Sequence, residues 1–353
     1  MDNSTGRPPF EFSDLTQRAI VATLILIISL IGIAGNSLVI LAVLLSTKLR
    51  TATNAFVVNL SVADFLTCLV IPWDAVALLS EDDGMLVGEW VCSVVGATIF
   101  TTVGCSIYTL ASIGLNRFLL ITRSTGTYRK IYTPRKIGVW LLVIWLVPLL
   151  TCTIPPLLNV GALGFNKQFR FCGSINTHPR YNTYNLIIST VLYPIPFAVI
   201  IVSYSLIWIH LRRQAKKLVT SPHQRPVTPP PSSVSALSSQ KDEIPMSQLP
   251  VGVATTNASP PPRKNRQTEV TKNMLYVVCG FGVCLTPYSI NLFVNGHSPL
   301  IPYTTVIVLL NHCINPLIYA TKHRDFKKVF GCIARCQWVL IPNPSNILKA
   351  LTR

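Results

Sequence analysis

Asp64 sits inside a long apolar run, residues 54–79, where an ionised carboxylate is costly unless it is paired, solvated or bound to a cation. Ser106, Asn311 and Asn315 fall at comparable depth in two other apolar runs, so the four side chains could ligate a small hard cation such as sodium through oxygen. The same residues suit equally a hydrogen-bonded polar plug that stiffens the molecule. Gly104-Cys105-Ser106 and His312 supply the residue types of a nucleophile and its base, chemistry that needs the two within hydrogen-bond reach. The short GxS match lacks the following glycine of a nucleophile elbow, so an intramembrane serine protease is a weaker reading than a cation or proton transporter built on Asp64. Arg117, near the end of its run, is a guanidinium that needs a partner or a headgroup. The ten cysteines include no CxxC pair, and no histidine cluster has metal-ligand spacing, which argues against zinc.

These residues must be positioned by membrane helices. A chain that is 50% hydrophobic and 12% charged carries too little charge for a water-facing domain, so lipid must act as part of its solvent. A hydrocarbon core about 30 Å thick needs about 20 apolar residues per helix. Seven runs meet that length: 19–45, 54–79, 90–122, 137–157, 184–209, 271–294 and 300–320. The fold class is therefore an all-α bundle of seven transmembrane helices, with kinks expected at Pro72, Pro148, Pro155, Pro194, Pro196, Pro287 and Pro316.

The net charge of +17 is spread beside the apolar runs rather than gathered on one domain, which points to membrane orientation and away from nucleic acid. Lys48, Arg50, Arg123, Arg129, Lys130, Arg135, Lys136, Arg212, Arg213, Lys216, Lys217, Arg263, Lys264 and Arg266 flank one set of helix ends and mark the cytoplasm. Glu81, Asp82, Asp83 and Glu89 mark the outside, so residues 1–18 form an extracellular N-terminus. Residues 19–212 hold helices one to five. Residues 213–268, rich in Ser, Thr and Pro, read as a disordered cytoplasmic loop; 269–321 hold helices six and seven, and 322–353 an amphipathic helix and tail. The sequon at Asn3 would be glycosylated outside, whereas Asn257-Ala258-Ser259 would stay bare inside.

Gly35-Asn36, Leu60-Ser61-Val62-Ala63-Asp64, Asn116-Arg117-Phe118, Trp145, Pro196, Tyr204, Phe281, Cys284, Pro287 and Asn315-Pro316-Leu317-Ile318-Tyr319 occur in order on these runs. The set resembles the GN, LSxAD, DRY and NPxxY motifs of rhodopsin-like G-protein-coupled receptors. That resemblance implies a cell-surface receptor that converts an extracellular small-molecule or lipid ligand into activation of a heterotrimeric G protein. Arrestin and a receptor kinase are further partners it implies, and no enzyme activity. Arg117 would meet the G protein, with Asn116, Phe118, Tyr204, Asn315, Pro316 and Tyr319 forming the switch. Asn36, Asp64, Ser106, Asn311 and Asn315 would form the polar core, with a sodium ion as an allosteric ligand and no other cofactor. Cys92 and Cys172 would form the family's disulfide. Two departures stand out: Asn116 replaces the usual acid, leaving Arg117 a neutral hydrogen bond and predicting raised basal signalling, and Leu285 stands where the family usually has Trp.

The resemblance places Ile99, Phe100, Val103, Ile188, Leu192, Leu285, Tyr288, Leu292, Thr305 and Leu309 around the ligand. Ile99 occupies the place of the amine receptors' aspartate, which disfavours a protonated monoamine, and Leu309 that of the retinal-binding lysine. Arg180 could anchor the carboxylate of an amphipathic anion such as a fatty acid. Within the family, the Asn116 and Asn311–Pro316 segments look most like a branch holding a medium-chain fatty-acid-sensing receptor, invertebrate receptors of germ-cell migration and glial barriers, and more distantly melatonin receptors. After the seventh run, Phe326, Val329, Phe330 and Ile333 recur at helical spacing as an amphipathic membrane-surface helix, and Cys332 and Cys336 are placed for palmitoylation.

Overall fold

A computed structural model of the chain describes residues 11–80, 88–220, 276, 278–291 and 298–351. Asn3, Leu292, the acids at 81–83 and the loop residues 221–268 lie outside the described residues.

Asp14 starts the first helix, α1 (Leu15–Leu45), by accepting from the backbone N–H of Thr16 and Gln17, so the helix begins four residues before the apolar run at 19. The second run is two helices, α2 (Ala52–Val70) and α3 (Pro72–Leu79), parted where Pro72 removes a backbone donor. Next come α4 (Glu89–Thr122), the short α5 (Thr125–Ile131) capped by Ser124, and α6 (Pro134–Leu157). The fifth run is also divided, into α7 (Tyr181–Leu192) and α8 (Pro194–Thr220). Pro148, Pro155 and Pro316, by contrast, sit within unbroken helices. The sixth run is described as α9 over residues 278–291, and α10 (Ile301–Lys322) is the seventh. Two further helices follow, α11 (Arg324–Ala334) and α12 (Asn346–Leu351). Among the described residues, α1, α2 with α3, α4, α6, α7 with α8, and α10 are each long and apolar enough to cross a membrane.

Three departures from the sequence reading follow. The helix α8 runs on to Thr220, eight residues past the boundary at 212. An antiparallel hairpin of β1 (Leu163–Asn166) and β2 (Phe171–Ser174) lies between α6 and α7, adding a small sheet to the helical bundle. The tail after α11 folds back on α1: the Ser345 N–H donates to the Leu45 carbonyl at 2.8 Å, Ser46 pairs with Pro344, and Leu348 is buried.

The bundle is stitched by polar links across its apolar core. Asn59 on α2 donates to Thr109 on α4 at 2.8 Å and accepts from the Trp145 indole on α6 at 2.9 Å. One side chain thus joins three helices and leaves no amide group idle. The outward face of α6 exposes Val139, Leu142, Val143, Leu146, Leu149 and Leu150, which suits a helix solvated by lipid.

Candidate functional site

Three sites lie one beneath another, from the hairpin end of the bundle to the Arg117 end. At the hairpin end Cys92, in the first turns of α4, is bonded to Cys172 on β2. The hairpin can lie this close because Gly96 has no side chain: a Cβ there would come within 3.0 Å of the Gly173 backbone. The cystine is held from a second direction as well. Asp74 on α3 accepts from the Cys172 N–H at 2.9 Å.

Under the hairpin is a cavity of two adjoining lobes. The upper is lined by Asp74, Tyr181 and Asn185 as well as by apolar side chains. The lower is lined chiefly by apolar groups, among them Val103, Leu192 and Leu285. Ile99, Phe100, Ile188, Tyr288, Thr305 and Leu309 belong to both lobes. Nine of the eleven pocket residues read from the sequence therefore meet around one space. Arg180 does not: it is exposed before α7 and lines neither lobe. Asp74 was missed, although the argument from an acid inside an apolar run that singled out Asp64 applies to it unchanged.

The polar core lies at mid-depth. Asp64 is fully buried, and its Oδ1 accepts from the Ser106 hydroxyl and from His312 Nδ1, each at 2.8 Å, while Oδ2 accepts from the Asn315 amide at 2.8 Å. A carboxylate only accepts, so the imidazole carries a hydrogen on Nδ1. Asn36 joins from α1 by donating to the Gly32 and His312 carbonyls, both at 2.9 Å. Asn311 is buried but forms no hydrogen bond with Asp64. His312, weighed in the sequence as a base for Ser106 at the depth of the polar core, belongs to that core through Asp64. It and Ser106 address the same carboxylate oxygen, rather than forming a nucleophile and base pair.

The sodium site read from the sequence needs oxygen ligands, and His312 brings a nitrogen donor onto the carboxylate instead. Ser106, Asn315 and the nitrogen of His312 already engage both Asp64 oxygens, and hard cations take oxygen ligands.

At the far end Arg117 is 6% exposed, its Nε has no partner, and it lines a cavity with Lys48, Thr53, Asn54, Tyr128, His323 and Asp325. The neutral bond expected between Asn116 and Arg117 is absent. Asn116 turns instead to α2 and α5, accepting from the Thr53 hydroxyl at 2.7 Å and donating to the Tyr128 hydroxyl at 3.0 Å. An asparagine can both accept and donate, and two hydroxyls satisfy it without the guanidinium. Tyr204 and Tyr319 lie within electrostatic range of Arg117, and both phenol oxygens are buried without partners. Phe118, next to Arg117 in sequence, is half-buried. Pro316 is buried where α10 meets Gly35 of α1, at which a Cβ would come within 2.9 Å of its ring.

Phe326, Val329 and Phe330 of α11 are buried, and Phe326 stacks on Tyr319 with ring centres 5.5 Å apart. Lys48 pairs with Asp325 at 3.1 Å. Cys332 is half-buried with its thiol toward the Leu340 carbonyl, and Cys336 is exposed.

The sequence profile described as "7 transmembrane receptor (rhodopsin family)" matches residues 35–319. The chain is 27% identical over 371 residues to the G-protein coupled receptor moody of Drosophila melanogaster, covering 95% of this chain and 54% of that one. It is 29% identical to Protein trapped in endoderm-1 of the same organism, over 90% of this chain and 78% of that one. A zebrafish (Danio rerio) relative, melatonin receptor type 1B-A, is 33% identical over 210 residues, 59% of this chain and 71% of that one. The chain spans about half the length of the moody receptors it matches. The crystal structure of squid rhodopsin superimposes with a TM-score of 0.70 at 19% identity, covering 94% of this chain and 88% of that one.

Proposed function

The chain belongs to the rhodopsin family of seven-transmembrane receptors, and from that premise we propose that it is a cell-surface receptor activating a heterotrimeric G protein when a small extracellular molecule enters the cavity beneath the hairpin. The observation that carries this reading is Arg117, a guanidinium buried at the mouth of a cavity with its Nε unpartnered. A buried charge without a fixed partner is costly, and a group that exchanges partners is the material of a two-state switch. On this reading the Arg117 end faces the cytoplasm, as the flanking lysines and arginines require, and the hairpin and N-terminus lie outside.

Tyr204 and Tyr319 serve as the alternate partners. Their buried hydroxyls lack hydrogen bonds in this arrangement and belong to α8 and α10, within electrostatic range of the guanidinium. The Asp64 carboxylate is held by Ser106, His312 and Asn315, so the polar core is linked by the protein's own side chains. Arrestin and a receptor kinase would engage the same cytoplasmic face.

The test is agonist-free G-protein activation by the wild type and by Arg117→Ala at matched surface expression. A basal signal that the substitution abolishes supports the reading; a basal signal that persists undiminished overturns it.

A further inference from the structure

Asp74 is 3% exposed and lines the upper lobe of the ligand cavity. Its Oδ1 accepts from the Cys172 N–H, and no hydrogen bond or ion pair engages Oδ2 among the described residues. The guanidiniums at this end of the bundle are committed elsewhere. Arg18 donates to the Leu78 and Ser80 carbonyls, and Arg170 donates to the Ser80 carbonyl at 2.8 Å. A buried carboxylate with one oxygen turned to an open cavity lacks half of its solvation, and a cation entering that cavity would supply it.

We propose that Asp74 is the counter-ion for a cationic head on the ligand, so that this receptor takes a small amphipathic ammonium or guanidinium compound. The inference deepens the receptor reading and rests on it. Ile99 offers no charge on α4, and the acid is supplied from α3 instead. Tyr181 and Tyr288 share the upper lobe with Asp74 and add aromatic faces that attract a cation. Below, Phe100, Val103, Leu192 and Leu285 form an apolar floor for the tail. A fatty acid fits this arrangement poorly, because its carboxylate would be buried beside Asp74 with Arg180 outside the cavity.

The probe is 4-phenylbutylamine, with 4-phenylbutan-1-ol as its neutral counterpart, titrated by thermal shift against the full chain in phosphatidylcholine nanodiscs. The amine should bind roughly tenfold more tightly than the alcohol, and Asp74→Asn should erase that preference. Asparagine keeps an acceptor for the Cys172 N–H, so the hairpin stays anchored, and Asp74→Glu should retain the preference. Equal binding of amine and alcohol, no binding of the amine, or a preference that survives Asp74→Asn overturns the proposal. The readout is binding alone, so it stands apart from the receptor reading, whose failure would appear as signalling indifferent to Arg117→Ala.

Discussion

His312 Nδ1 lies 2.8 Å from Asp64 Oδ1, the oxygen that also accepts from Ser106, so an imidazole from α10 closes a site whose other members are all oxygen or amide donors. Both residues are essentially solvent-free, at 1% and 0% exposed. The pair ties α2 to α10 at mid-depth, and Asn36 extends the tie to α1 through the His312 carbonyl. Four further buried oxygens, on Asn36, Ser61, Asn311 and Asn315, have no hydrogen-bond partner. The core therefore has spare acceptors, while Asp64 Oδ1 is filled by two donors and Oδ2 accepts one.

Sodium should accordingly leave the wild type indifferent: replacing sodium chloride by choline chloride at equal ionic strength shifts its melting temperature no more than any other salt exchange. His312→Ser removes the imidazole and frees Asp64 Oδ1 for an ion. That variant should lose about 1–3 kcal/mol of stability in choline and recover part of it in sodium. Thermal melts in the two salts check both statements, and a sodium-specific rise in the wild type would contradict them.

Asn116 is spent on Thr53 and Tyr128 instead of on Arg117. Asn116→Asp keeps an acceptor for both hydroxyls and sets a carboxylate next to the guanidinium, a charge-assisted partner about twice as strong as a neutral one. Basal G-protein activation should fall severalfold at matched surface expression. An unchanged basal level would mean that the missing acid does not control the resting state.

Cys172→Ser cuts a cross-link spanning 80 residues, for which loop entropy alone sets about 4 kcal/mol as the upper value. Membrane helices already restrain both ends of that loop, so a loss of roughly 2–3 kcal/mol is expected. It should be seen as lower surface expression and a lower melting temperature. The Asp74 bond to the Cys172 backbone remains and should hold part of the hairpin in place.

Phe326 is fully buried between the end of α10 and the packed face of α11, and it stacks on Tyr319. Phe326→Ala should cost about 3–5 kcal/mol through lost burial and the cavity left behind. Val339, 86% exposed in the turn beyond α11, provides the control: Val339→Ser should leave the melting temperature within experimental scatter.

The helices and their order were legible in the chain because lipid imposes a rule that needs no partner. Every backbone group must be satisfied within its own segment, so each crossing declares itself as a long apolar run. The motif residues Asp64, Arg117 and Asn315 were legible for a related reason, since polar groups inside such runs are too costly to be incidental. The family resemblance also placed Ile99, Phe100 and Leu309 around one ligand, and the structure brings them together.

What only the tertiary structure decided was the choice of partner. Depth along a helix follows from sequence, but the direction a side chain faces depends on how that helix is rotated and packed against its neighbours. Rotation of α10 gives His312 to Asp64 and leaves Asn311 aside; the approach of α5 draws Asn116 away from Arg117; the break at Pro72 and the hairpin across α4 set Asp74 beneath Cys172. Arg180 falls outside the cavity because it precedes α7 on an exposed turn. Each of these is a contact between elements distant in sequence, and a hydrogen bond forms only within about 3 Å, a tolerance no one-dimensional pattern carries.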